Sequence, residues 1–175
     1  GLDGWGNRAA LTQCCMPAVT IPGLFAEQVA RNPEATAVSF EGLSMTYREL
    51  DEAANRLAGL LAGRGVRPGA VVGLLVSRSA SSIVAILAVL KTGAAYLPID
   101  PALPVARIGF LIDDAEPVAV LTTTELRHRL DGHTVPIIDI SEQADPEAGP
   151  QPLAVDADGI AYVIYTSGTT GTPKG

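Results

Sequence analysis

Tyr162-Val163-Ile164-Tyr165-Thr166-Ser167-Gly168-Thr169-Thr170-Gly171-Thr172-Pro173-Lys174-Gly175 is the stretch on which the fold turns. Its apolar start has the length of a buried strand, and it runs straight into hydroxyls and glycines that carry one cation. Gly168 and Gly171 lack Cβ, so the backbone there can take φ > 0 and bring N–H groups close to an anion. Thr166, Ser167, Thr169 and Thr170 add hydroxyl donors. Pro173 fixes its own φ and biases Thr172 toward extended backbone, which stiffens the chain just before Lys174. A hydrogen bond to a charged group is worth roughly 1.5–3 kcal/mol net, so several together suffice to hold a polyphosphate. Composition alone also suits a Gly/Thr-rich surface turn with a solvated lysine. The apolar strand ahead of the loop favours phosphate.

The loop is not a Walker A motif, in which Gly-Lys is followed directly by Ser or Thr and opens a helix. Here Thr172 and Pro173 separate Gly171 from Lys174, and Gly175 stands where the magnesium-binding hydroxyl would be.

Immediately upstream, Asp158-Gly159 is a turn into the strand Ile160 to Thr166. The acidic, Pro- and Gly-rich stretch Glu142 to Pro152 reads as a solvent loop. Val118 to Leu121 and Val135 to Ile140 are predicted strands, with a short helix from Thr124 between them. Pro104 to Ala115 is a predicted helix with Ile108, Leu111 and Ile112 inward. Asp113-Asp114 near its end reads as a solvated helix end rather than a metal site. Ala70 to Val76 is a continuous apolar run, expected as a strand buried on both faces. Ile83 to Leu90 is a helix apolar on nearly every side and therefore deeply buried; Gly93 closes it, and Ala95-Tyr96-Leu97 is the next strand. Asp100, in Pro98-Ile99-Asp100-Pro101, suits a turn-stabilising role better than a catalytic one. Leu24, Phe25, Val29 and Ala30 mark a short helix stopped by Asn32-Pro33. A hairpin through Glu41-Gly42 joins Ala35–Phe40 to Leu43–Thr46. Thr46-Tyr47-Arg48-Glu49 has capping-box spacing ahead of the stripe Leu50, Ala53, Ala54, Leu57, Leu60, Leu61. Strands alternating with helices predict an α/β fold with a largely parallel sheet and flanking helices. Ligands of such sheets bind beyond the C-terminal ends of the strands, which is where the glycine-threonine loop leaves.

Composition narrows the function. The 175 residues suffice for one domain with a core, and 47% apolar against 18% charged residues excludes a disordered class. Net charge is −7 with no basic run, which argues against nucleic acid and makes Lys174 a notable local cation. No apolar run approaches the ~18 residues of a membrane span. Cys14 and Cys15 are adjacent, too few and too close for a disulfide scaffold, and read as reduced linker thiols of a cytoplasmic protein. His128 and His133 lack metal-ligand spacing and are expected at the surface.

The glycine-threonine stretch resembles the phosphate-binding signature of the adenylate-forming superfamily, most closely that of nonribosomal peptide synthetase adenylation domains. Leu90-Lys91-Thr92-Gly93-Ala94-Ala95-Tyr96-Leu97-Pro98-Ile99-Asp100-Pro101 resembles the family's second core motif, with Thr92 where Ala is more usual. Ser44-Met45-Thr46-Tyr47-Arg48-Glu49-Leu50 resembles the first, with Met45 where Leu is more usual; its role reads as structural. The resemblance implies residues 1–20 as an inter-domain linker and 21–175 as the N-terminal portion of an adenylation domain, incomplete within the third motif. Gly4-Trp5-Gly6-Asn7-Arg8-Ala9-Ala10 is similar to the tail of a preceding condensation domain; a disordered boundary competes with that reading.

What the resemblance implies is activation of an amino acid. A carboxylate attacks the α-phosphorus of ATP, pyrophosphate leaves, and the acyl-adenylate is captured by the phosphopantetheine thiol of a carrier domain. It assigns Thr166, Ser167, Gly168, Thr169, Thr170, Gly171 and Lys174 to the ATP phosphates. Magnesium accompanies ATP, with its protein ligand expected outside these residues. Partners implied are the amino acid, a downstream carrier domain and an upstream condensation domain of the same polypeptide. No catalytic residue is assigned, and the 175 residues by themselves are expected to be inactive. An acyl-CoA ligase fragment and a non-catalytic nucleotide-binding remnant are the alternatives.

Overall fold

The computed structural model describes residues 19–141 and 155–166. Residues 1–18 of the linker, both cysteines and the whole acidic loop from Glu142 to Pro152 lie outside the described residues.

Helix α1 (Ile21–Arg31) starts where the Thr20 hydroxyl accepts from the Gly23 amide, and it stops at Asn32. Strands β1 (Thr36–Phe40) and β2 (Leu43–Thr46) form an antiparallel hairpin. Its turn places Glu41 and Gly42 at φ 50° and 81°, a left-handed pair whose twist matches that of the flanking strands. Helix α2 (Tyr47–Gly63) opens on a complete capping box. The Thr46 hydroxyl accepts from the Glu49 amide at 3.2 Å, and the Glu49 carboxylate accepts from the Thr46 amide at 2.8 Å.

Strands β3 (Val71–Leu75), β4 (Ala95–Ile99), β5 (Ala119–Thr122) and β6 (Ile137–Asp139) form an all-parallel sheet in the order β4-β3-β5-β6. Helix α3 (Ala80–Lys91) crosses from β3 to β4, and α4 (Val105–Ala115) from β4 to β5. Period-2 alternation splits the core by face. Val72 and Leu74 of β3, Leu121 of β5 and Ile138 of β6 pack with Leu57 and Leu61 of α2 and Val89 of α3. Leu75, Leu97, Ile99 and Val120 pack on the other face with Ile108, Leu111 and Ile112 of α4. Gly73 is tightly enclosed, since a Cβ there would lie 3.1 Å from the Val120 side chain.

The second motif is a structural joint. Thr92 is buried, and its hydroxyl donates to the Val89 carbonyl at 2.6 Å, so its extra polar atom is satisfied. Lys91 donates to Asp51 at 2.7 Å and Asn55 at 2.6 Å and lies over the Phe25 ring, which ties α3 to α2 and α1. Gly93 takes φ +76°, with Pro68 packed against it. Asp100 stabilises its turn as expected, accepting from the Ala102 amide.

Several expectations change. Helix α3 begins three residues before Ile83, and Ile83 itself is 37% exposed, because the first turn lies beyond the cover of its neighbours. The short helix from Thr124 is a single 3-10 turn, Arg127–Leu130, anchored by a fully buried Leu130. His133 is not a surface residue: its side chain is 18% exposed and lies against Gly109, where the absence of a Cβ makes room for the ring. The strand Ile160 to Thr166 is reduced to isolated bridges, a parallel one between Tyr162 and Tyr96 on the edge of β4 and another at Thr166. It is covered on one face only. Val163 and Tyr165 pack onto the α4 side, while Ile160, Tyr162 and Ile164 are 71%, 53% and 55% exposed.

Candidate phosphate-binding site

The glycine-threonine loop is delivered by the 160–166 segment. The Tyr96 amide donates to the Ala161 carbonyl at 3.1 Å, and the Val163 amide donates to the Tyr96 carbonyl at 3.0 Å. This pairing makes the segment parallel to β4, so Thr166 departs toward the C-terminal end of the sheet. That is the end at which parallel α/β sheets bind ligands. Thr166 is exposed there; Ser167, Gly168, Thr169, Thr170, Gly171 and Lys174 lie outside the described residues.

Two tyrosines of the segment, Tyr162 and Tyr165, hold the approach. The Tyr96 and Tyr162 rings pack at 5.7 Å between centroids, and burial, with Tyr162 as a lesser cause, raises the Tyr96 phenol above its ordinary value. Tyr165 donates its hydroxyl to Asp114 in the last turn of α4. Burial, and then the Asp114 carboxylate, push the Tyr165 phenol up to about 12.

The same end of the sheet carries a polar knot. Asp139, at the end of β6, accepts from the Ser141 amide and hydroxyl and from the Thr124 hydroxyl. These bonds, Ser141 first, hold its carboxyl below the ordinary aspartate value despite burial. The Thr122 hydroxyl donates to the Leu75 carbonyl at 2.9 Å, joining the ends of β5 and β3. This knot fixes the rim, and the hydroxyls of Thr122, Thr124 and Ser141 are each engaged within the protein. Among the described residues no three or more His, Cys, Asp or Glu gather as a metal site.

Sequence reading missed Tyr165–Asp114 and the Asp139 knot. The available signal for the first was two carboxylates in the last turn of a helix, with no basic residue beside them, where the helix dipole disfavours negative charge.

The pattern defining AMP-binding enzymes matches residues 25–175. The chain belongs to the AMP-binding enzyme family. It is 57% identical over 174 residues to isonitrile lipopeptide synthase of Mycobacterium tuberculosis, covering 99% of this chain and 7% of that protein. Its fold is shared with the nonribosomal peptide synthetase FmoA3. The AMPPNP-bound form matches at 37% identity and TM-score 0.80, covering 86% of this chain and 16% of that one. The α-methyl-L-serine-AMP-bound form matches at 38% and 0.79, covering 90% and 18%. The NpsA N-terminal subdomain of Klebsiella oxytoca, in complex with 3-hydroxybenzoyl-AMSN, matches at 26% and 0.80, covering 89% and 39%. This member of the AMP-binding enzyme family therefore presents the α/β architecture of the N-terminal portion of an adenylation domain, and it spans a small part of the length of the relatives it matches.

Proposed function

We propose that the chain is part of an amino-acid-activating adenylation domain of a nonribosomal peptide synthetase. The observation that carries this reading is the family match, which continues through residue 175 and so takes in the whole glycine-threonine stretch. The likeness to a lipopeptide synthase and to a synthetase with bound α-methyl-L-serine-AMP supports an amino acid as the carboxylate. The AMPPNP-bound neighbour supports ATP as the nucleotide.

In this reading the carboxylate attacks the α-phosphorus of ATP, an acyl-phosphate anhydride forms, and pyrophosphate leaves. Charge builds on the leaving group, and Thr166, Ser167, Gly168, Thr169, Thr170, Gly171 and Lys174 offset it with hydroxyls, amides and one ammonium. Magnesium travels with ATP, and no residue of this chain is assigned to it. A phosphopantetheine thiol on a carrier domain then takes the acyl group, with a condensation domain upstream. No helix among the described residues is long and apolar enough to cross a membrane.

Amino-acid-dependent ATP–pyrophosphate exchange by the natural gene product that carries this chain tests the reading. Exchange with one or a few amino acids is the expected result; exchange with none of them overturns it. Aryl acids belong in the same panel, because the hydroxybenzoyl-AMSN-bound neighbour matches with a comparable TM-score. Residues 1–175 alone are expected to give no exchange.

A further inference from the structure

Helix α4 ends against its own dipole. Asp113, Asp114 and Glu116 crowd its C-terminal turn, no basic residue accompanies them, and Glu116 sits at φ 44°, a left-handed conformation that favours glycine. Stability of the helix alone gives no reason for this arrangement. Asp113 faces His133 at 3.8 Å between Oδ1 and Nδ1 and is otherwise open to solvent. Asp114 is different: it accepts the hydroxyl of Tyr165, a residue 51 positions later and one before Thr166. The backbone bonds that hold the 160–166 segment to β4 lie at Ala161 and Val163. Beyond Val163 the Tyr165 side chain fastens the described segment to the domain, through its ring in the α4-side core and its hydroxyl on Asp114, and Thr166 next to it stands in a backbone bridge.

We propose that Tyr165 and Asp114 are a positioning pair that fixes the point from which the glycine-threonine loop departs. The phenol anchors the backbone immediately before Thr166, and the carboxylate holds the phenol to a helix seated on the sheet. The inference rests on the phosphate-binding reading of that loop. Neither residue touches the nucleotide; both act through the backbone of Thr166 and the loop beyond it.

The test uses the natural gene product carrying this chain, with Tyr165→Phe, Asp114→Ala and Asp114→Asn. Removing the hydrogen bond is expected to lower kcat/KM for ATP about three- to tenfold in Tyr165→Phe and Asp114→Ala. The KM for the amino acid should stay within about twofold. Asp114→Asn, whose amide oxygen still accepts, should retain near-normal ATP kinetics. The double variant Tyr165→Phe/Asp114→Ala should be no worse than the poorer single one. Amide hydrogen exchange at residues 161–166 should quicken in Tyr165→Phe and Asp114→Ala and not in Asp114→Asn. Unchanged amide exchange in Tyr165→Phe overturns the pair, as does a loss spread equally over ATP and amino acid, or an Asp114→Asn as poor as Asp114→Ala. If the unmodified protein gives no pyrophosphate exchange, the adenylation reading fails by itself, and the amide measurement decides whether the pair holds the segment.

Discussion

Strand β5 is buried at all four of its positions, whereas the equally apolar segment 160–166 leaves every second side chain in solvent. Both are short runs without a charge. β5 lies between β3 and β6 and is sandwiched by helices from both faces. The segment has β4 on one edge and the α4-side core on one face. The difference separates a scaffold, where every contact is made, from an approach to the site, held by a few backbone bonds and two tyrosines. Segments with few buried contacts open locally at low free-energy cost, which suits a segment that leads into the proposed phosphate-binding stretch.

The largest effect is expected in β5. Leu121→Ala removes a fully buried side chain between α2, α3 and the sheet, and should cost about 2–5 kcal/mol in urea unfolding. Gly73→Ala comes next, because the new Cβ meets Val120 at 3.1 Å; overpacking of this kind costs about 1–3 kcal/mol. Lys91→Met leaves Asp51 and Asn55 without their cation and unties α3 from α2. With both charges partly exposed, the loss should be about 1–2 kcal/mol, read in the same unfolding assay.

On the approach side the effects shrink. Ile164→Lys should change stability by no more than about 0.5 kcal/mol. It should also reduce self-association of the 175-residue chain in light scattering, because a charge on a one-sided edge strand blocks edge pairing. A loss comparable to that of Leu121→Ala would erase the contrast between the two regions.

Titration separates the approach from the rim of the sheet. The Tyr165 phenol is raised in the folded chain, so its contribution is fully present below its ordinary value of 10.0 and is lost as pH rises toward about 12. The Asp139 carboxyl is lowered, so its contribution is present above the ordinary 3.8 and is lost as pH falls through its folded value. The alkaline loss should shrink in Tyr165→Phe and the acid loss in Asp139→Asn, each followed by thermal unfolding against pH.

Features that depend on local chemistry were legible in the chain alone. Thr46 and Glu49 cap α2, Glu41-Gly42 turns the hairpin, Asp100 closes its own turn, and alternating apolar runs build a parallel sheet. Each is specified by neighbours within a few residues, through hydrogen-bond reach, backbone conformation or the period of a helix or strand. The proposal that the stretch from Thr166 to Lys174 binds phosphate likewise rests on residue type and spacing alone. Features that depend on distant partners needed the folded arrangement. A continuous apolar run reads alike whether one face or two are covered, so only the placement of the strands shows β5 central and Tyr162 at an edge. Lys91 and Asp51, 40 residues apart, and Tyr165 and Asp114, 51 apart, meet because the sheet brings their helices and strands together, and no periodicity in the chain announces such a meeting.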